Sequence, residues 1–310
     1  DFSLITEHCS LITAQSLHHS ISLSQMTPST FSLVAYDPSN GDLGIAVASK
    51  FLAVGSVVPW AQHGVGAIAT QSWANTSYGP YGLEMLKQGM SPEEVGNALT
   101  VMDAQAAQRQ FGIVDAQGRA FTFTGSECSD WAGGRIGKNY AAQGNILVGA
   151  AVVDALAETF ERARGTLAER LLNALAAGQA AGGDARGQES AALLVVRANG
   201  GYGGFNDRYL DLRVDDHTAP IEELKRLLDL HFLYLDKSNA NDLIAIDENI
   251  ARELQSIMAK RGYAVQVNGV WDDASQKAFR KFGGVENLEE RLQEGPWVDK
   301  VVLRFLRERF

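Results

Sequence analysis

Apolar and polar positions first fall into register at Thr30. Phe31, Leu33 and Ala35 alternate with Ser32, Val34 and Tyr36, the two-residue period of a strand. Asp37-Pro38-Ser39-Asn40-Gly41-Asp42 supplies turn residues, and residues 43–48 read as the returning strand of a hairpin. Residues 51–70 continue as strand and glycine-rich turn, and residues 71–80 form a polar, aromatic loop. A helix is predicted over residues 81–87. A second starts at Ser91, with Ser91 as cap, Pro92 in the first position and Glu94 in the third.

Residues 110–115 and 119–124 flank Ala116-Gln117-Gly118 and predict another hairpin. Alanine-rich stretches at 151–164 and 167–181 predict two helices that pack closely. Gly182-Gly183-Asp184-Ala185-Arg186-Gly187 breaks the second before an apolar strand at 191–196, and residues 205–214 predict one more. Gly200-Gly201-Tyr202-Gly203-Gly204 lacks the strand–turn–helix setting of a phosphate loop and reads as a hairpin end. Ile221, Leu224, Leu227, Leu228, Phe232 and Leu235 then mark one face of a helix at 221–234.

Strands, two central helices and further strands predict an α+β body in which antiparallel sheet meets helices. Residues 237–242 read as a short polar linker. Beyond it, residues 250–310 carry their own apolar set, from Leu254, Ile257 and Met258 through Tyr263, Val270, Trp271, Phe279, Phe282, Leu288 and Leu292 to Trp297, Val301, Leu303 and Phe305. That set predicts a small helical module, marginally stable alone at its length of about 60 residues.

Composition narrows the function classes. The formal net charge of −10 argues against a nucleic-acid partner, and no apolar run is long enough to predict a membrane span. Two cysteines, Cys9 and Cys128, are too few for a disulfide framework and lack metal-ligand spacing, so a reducing cytoplasmic setting is expected. Residues 1–29 contain no Lys or Arg and three His, and polar residues interrupt every apolar stretch, unlike a secretory signal. Two readings of this segment stand: it is disordered or removed, with the true start near Met26, or it is an authentic tail.

Thr30 matters because a free N-terminal threonine carries nucleophile and base together. Its hydroxyl attacks, and its α-amine, with a pKa of roughly 7.7–8.0, accepts the proton. An acylated amine has no basic lone pair, so processing is a condition of this chemistry.

Five stretches of the chain resemble a bacterial family, the domain of unknown function 1028. They are Thr30-Phe31-Ser32-Leu33-Val34-Ala35, Ala48-Ser49-Lys50-Phe51-Leu52-Ala53-Val54-Gly55, Gln143-Gly144-Asn145, residues 180–192 and residues 207–217. The resemblance spans residues 30–236 and implies a four-layer αββα sandwich like that of N-terminal-nucleophile hydrolases. It further implies an amide-bond hydrolase of unknown substrate, for which a small amide or peptide is the expectation. The last 60 or so residues resemble a peptidoglycan-binding-like module. Leu254-Gln255-Ser256-Ile257-Met258-Ala259-Lys260-Arg261-Gly262-Tyr263 and Val267-Asn268-Gly269-Val270-Trp271-Asp272-Asp273 carry that likeness. The expected division is therefore an extension at 1–29, a hydrolase-like domain at 30–240 and a helical module at 241–310.

Within that frame Thr30 is the candidate nucleophile, Lys50 a charge placed to depress its pKa, and Asp184 a carboxylate placed to orient it, with Arg186 beside it. Gln71, Ser72 and Asn75 are candidate oxyanion or substrate donors. Each has a plainer reading: Lys50 as a solvated charge, Asp184 and Arg186 as a turn-closing pair, and the loop amides as turn caps. Ala48 stands where a proteasome-type aspartate is expected, and Val57-Val58-Pro59-Trp60 offers no lysine, which argues against proteasome-like proteolysis. Trp271 and Trp297 are candidate glycan platforms, with core packing as the alternative. Asp215-Asp216-His217 has no metal-ligand spacing to His231, and no metal or cofactor is expected. The expected partners are a small amide or peptide and peptidoglycan, with no nucleic acid and no membrane, and a homo-oligomer is expected. The rival function is a non-catalytic scaffold that binds glycan or itself. Peptidoglycan binding points to the cell envelope, against the cytoplasm that the lack of a signal peptide suggests.

Overall fold

Strands β1 (Thr30–Asp37) and β2 (Asp42–Ser49) form the expected hairpin, with Thr30 opposite Ser49 and Asp37 opposite Asp42. Gly41 closes its turn at a φ of 80°, a left-handed conformation that glycine adopts without steric cost. The molecule is seen in a computed structural model that describes residues 30–310. The readings made on Cys9, Met26 and the rest of residues 1–29 lie outside the described residues.

The chain continues through β3 (Pro59–Gln62) and β4 (Gly66–Ser72), then α1 (Tyr78–Lys87) and α2 (Pro92–Val101). Ser91 and Glu94 make the reciprocal capping box that the sequence announces. The hairpin of β5 (Arg109–Asp115) and β6 (Ala120–Thr124) follows, then a second of β7 (Gly133–Gly137) and β8 (Tyr140–Asn145). Next come α3 (Ala151–Arg162), α4 (Leu167–Ala180), β9 (Ser190–Val196), β10 (Arg208–Val214) and α5 (Pro220–Tyr234).

These elements stack as four layers. One sheet is six-stranded in the order β10-β9-β2-β1-β8-β7, and the other four-stranded in the order β3-β4-β5-β6. Helices α3, α4 and α5 cover the outer face of the larger sheet, and α1 and α2 cover that of the smaller. Strands β1, β2 and β8 face β3, β4 and β5 across the middle. This is the α+β αββα sandwich expected from the sequence. Strand alternation explains it: Phe31, Leu33 and Ala35 point into the core under α3 and α4, and Val34 points to the opposing sheet.

Two local features differ from the sequence reading. The β7–β8 hairpin has glycine and alanine where apolar alternation is normally legible. Ala141 faces the inter-sheet core and Ala142 the helices, so β8 is buried on both faces, with Asn139 forming the turn at a φ of 68°. Phe205 lies outside any strand and is 90% exposed, because the turn through Gly203 and Gly204 delays pairing until Arg208.

After α5 come β11 (Leu243–Ala245), α6 (Glu248–Lys260), α7 (Asp273–Val285), β12 (Trp297–Asp299) and α8 (Lys300–Arg309), with β11 paired to β12. Their core contains Leu254, Ile257, Met258, Phe279, Phe282, Leu288 and Leu303, and it is shared with Leu233 of α5. Val270 and Trp297, expected in that core, are 59% and 45% exposed. The buried Arg291 guanidinium donates to the carbonyls of Phe232 and Leu233 and to Asp299, tying this region to the end of α5. Gln255 is fully buried and acts as a hub. Its oxygen accepts from the N–H groups of Asn268 and Gly269, and its amide donates to Val270 O and Ser275 Oγ. That geometry explains why glutamine on the helix and Asn-Gly in the following loop occur together.

Candidate functional site

Thr30 heads a central strand of the larger sheet, between Ser49 on β2 and Asn145 on β8. It is almost fully buried, with its Oγ1 3.2 Å from Ser49 Oγ. Its side reaches a pocket of about 200 Å³ lined by Phe51, Val54, Val57, Val58, Gln71, Ser72, Trp73 and Ala74.

Beneath Thr30 a lattice of carboxamides joins the two sheets. Gln71 Nε2 donates to Thr30 O at 3.2 Å and to Gln110 Oε1 at 2.8 Å, and Gln71 Oε1 accepts from Ser32 Oγ at 2.6 Å. Gln110 Oε1 also accepts from Asn145 Nδ2, and its amide donates to Thr124 Oγ1, Gly133 O and Gly144 O. Gln143 Nε2 donates to Ser32 Oγ at 2.6 Å. Gly112 makes room for Gln143, since a Cβ there would collide with its side-chain oxygen. Buried polar groups are tolerated when their bonds are complete, and such a network fixes one arrangement of the sheets around Thr30.

The structure separates the three predicted donors. The Gln71 amide is spent within the lattice and on the Thr30 carbonyl. Asn75 does not line the pocket: its amide donates to Asp103 at 3.1 Å, and its oxygen accepts from Ser77. Ser72, at a φ of 65°, lines the pocket, and its hydroxyl is buried beside the Cys128 thiol. Burial raises the pKa of the neighbouring Cys128 thiol, and the Ser72 hydroxyl offsets part of that rise. The thiol donates weakly to Arg109 O at 3.4 Å.

Lys50 and Asp184 have partners other than the Thr30 hydroxyl. The Lys50 ammonium is directed to Gln188 O at 3.2 Å and the Glu189 carboxylate at 3.5 Å, and it is largely solvated. Asp184 is buried, and its carboxylate accepts from the backbone N–H groups of Lys50 and Arg186, both at 2.8 Å, and from the Arg186 guanidinium. It therefore fastens the glycine-rich turn to the residue after Ser49 and sets the end of β2 against Thr30. Arg186 completes that clamp.

A second cluster sets the pocket wall. The Arg109 guanidinium donates to Trp73 O and, through Nε, to Asp103 at 2.8 Å. Asp103 also accepts from Tyr78 OH at 3.0 Å. The Arg109 bond holds the Asp103 carboxyl far below its ordinary 3.8, whereas burial and Asp103 push the Tyr78 hydroxyl up. A depressed carboxylate contributes stability that is present above pH 3.8 and lost as pH falls toward its folded-state value. Asp103→Asn is expected to lower the melting temperature at neutral pH and to flatten the acid limb. Thermal melts of both proteins from pH 7 downward check this; parallel curves would contradict it.

In the tail, Trp271 and Trp297 line one groove with Gln276, Phe279, Arg280 and Gln293. Trp271 packs edge-on against Phe279 at 5.6 Å, and its indole N–H is buried without a hydrogen bond. Trp271 is thus partly a packing residue, whereas Trp297 presents an open indole.

Gln110, Gln143 and Ser32 were not singled out in sequence as parts of the site. Their signal is polar character at inward-facing strand positions, where alternation demands apolar residues.

A four-layer sandwich with a buried threonine at the head of a central strand, opening on a pocket, is the class that fold and site define. The chain belongs to the family of unknown function DUF1028, whose model matches residues 30–224. Residues 234–306 match the model described as "Putative peptidoglycan binding domain". Among solved structures, the crystal structure of protein SPO2555 from Silicibacter pomeroyi, of the same family, is similar at 34% identity and a TM-score of 0.61. The match covers 66% of this chain and 89% of that one. No curated protein matches the chain. Among the described residues no helix is long and apolar enough to cross a membrane.

Proposed function

We propose that the chain hydrolyses a small amide or peptide through Thr30 once the Thr30 amine is free. The observation that carries this reading is the Thr30 side chain at the polar end of an otherwise apolar pocket, with its Oγ1 beside Ser49 Oγ and its strand pinned by the carboxamide lattice. The α-amine takes the hydroxyl proton as Oγ1 attacks the carbonyl carbon. The Ser72 hydroxyl, on a residue that lines the pocket, supplies a donor to the oxygen that becomes negative. The C–N bond then breaks, the leaving amine takes the proton, and water, deprotonated by the same α-amine, releases the acid from the Thr30 ester. Lys50 is outside this scheme. Asp184, with Arg186, positions the strand end through the Lys50 backbone.

The test compares two forms of the chain, one beginning at Thr30 and one retaining the residues before it, on a panel of small amides. Turnover is expected only from the first. Equal turnover by both would remove the α-amine from the mechanism, and none by either would remove the hydrolase.

The open Trp297 indole and the matched model support a second proposed activity in the tail, retention on peptidoglycan, with which a location at the cell envelope would agree. The division of the chain at residues 240 and 241 stays part of the proposal, with the matched model beginning at residue 234. Trp297→Ala removes a side chain that is 45% exposed, so the fold should persist while sedimentation with purified peptidoglycan falls by about tenfold. Unchanged retention would exclude Trp297 from the binding surface.

A further inference from the structure

The pocket beside Thr30 has a chemical polarity of its own. Phe51, Val54, Val57, Val58, Trp73 and Ala74 form its walls, and its polar groups are confined to Thr30, Gln71 and Ser72. Among the described residues no charged side chain lines it. Lys50, next to Phe51, and Arg109, opposite Ser72 across the β4–β5 pair, are committed elsewhere: Lys50 to Glu189, and Arg109 to Asp103 and Trp73 O. An ionised group placed in this hollow would lose its hydration and meet no compensating charge.

We infer that the pocket is the acyl subsite, and that it takes an uncharged apolar acyl group of phenyl or branched-aliphatic size. This rests on Thr30 as the nucleophile proposed above. Size follows from volume: an apolar cavity of about 150 Å³ holds benzene, and this one measures about 200 Å³. Phe51 and Trp73, which are 36% and 40% exposed, are the most open of its lining residues.

Polarity of the reaction decides which half of the amide enters. The acyl half stays bonded to Thr30 through both stages, so it needs a site that holds it. The amine half must leave and be replaced by water, which an apolar hollow disfavours. The acyl group therefore occupies the hollow and the amine half faces outward. Small polar acyl groups are discriminated against because they leave apolar surface wet, and acidic ones because they bury a charge.

The experiment separates binding from turnover by using the full chain with Thr30→Ala. Phenylacetamide, isocaproamide, acetamide and succinamate are titrated in turn, and affinity is read from saturable chemical-shift changes. Phenylacetamide and isocaproamide are expected to bind at least about tenfold more tightly than acetamide or succinamate, the discrimination typical of a hydrophobic pocket. Val57→Asp should erase the preference. Trp73→Ala, at a partly exposed position, should weaken it, and serves where the first variant does not fold. Equal affinity for the four amides, or preference for succinamate, would overturn the inference. If the apolar preference holds while the chain beginning at Thr30 hydrolyses none of them, the subsite stands as a binding site and the hydrolase reading falls alone.

Discussion

Thr30→Ala is expected to abolish amide turnover in the chain that begins at residue 30, lowering the rate by about a thousandfold or more, because the proposed mechanism bonds the substrate to the atom it removes. The fold persists. The substitution deletes one hydroxyl and one Oγ1–Oγ contact with Ser49, a loss of about 1 kcal/mol. The Gln71 bond to residue 30 uses the backbone carbonyl and survives the change. The measurement pairs initial rates with a thermal melt of the same sample. A rate that falls while the melt barely moves assigns Thr30 to chemistry. Full activity in the variant would remove it as nucleophile.

Gln110→Ala is expected to have the largest effect on stability. Its side chain bonds Gln71, Asn145, Thr124 and the carbonyls of Gly133 and Gly144, and so joins β4, β5, β6, β7 and β8 in one lattice. Truncation leaves those buried groups without their partner, and each orphan costs about 1–3 kcal/mol. Some find water in the space vacated, so a net loss of about 3–5 kcal/mol is expected, in the range of other broken buried networks. Gln110→Glu does not rescue it. A carboxylate keeps the acceptor facing Gln71 and Asn145 but turns negative oxygen toward two carbonyls. Urea denaturation of the three proteins measures this; a midpoint unchanged by Gln110→Ala would show that the lattice contributes little.

These outcomes also mark how far the sequence reached. Alternation at 31–36, the capping box at Ser91 and the helical stripe from Ile221 each announce an element locally, and each forms where expected. The β7–β8 hairpin is silent because a strand buried on both faces and built from Gly and Ala shows no period. Thr30 was legible from its position at the head of a hairpin. Its surroundings were not, since Ser49, Gln110 and Asn145 reach it only through cross-strand register. Ser72 and Asn75 look alike in sequence, and only the fold distinguishes a residue that lines the pocket from an amide held by Asp103. Lys50 shows the limit most clearly. Its place beside Ser49 is fixed by sequence, but which way its ammonium points depends on Gln188 and Glu189, far along the chain.

The central claim is that Thr30, with a free amine, is a nucleophile at the end of the pocket. Its most direct test is intact-mass analysis with peptide mapping after treating the chain that begins at Thr30 with a β-lactone bearing an apolar side chain. The account predicts a single acyl adduct on residue 30, absent from Thr30→Ala and from the chain that keeps its preceding residues. An adduct elsewhere, none at all, or one formed equally when the amine is blocked would contradict it.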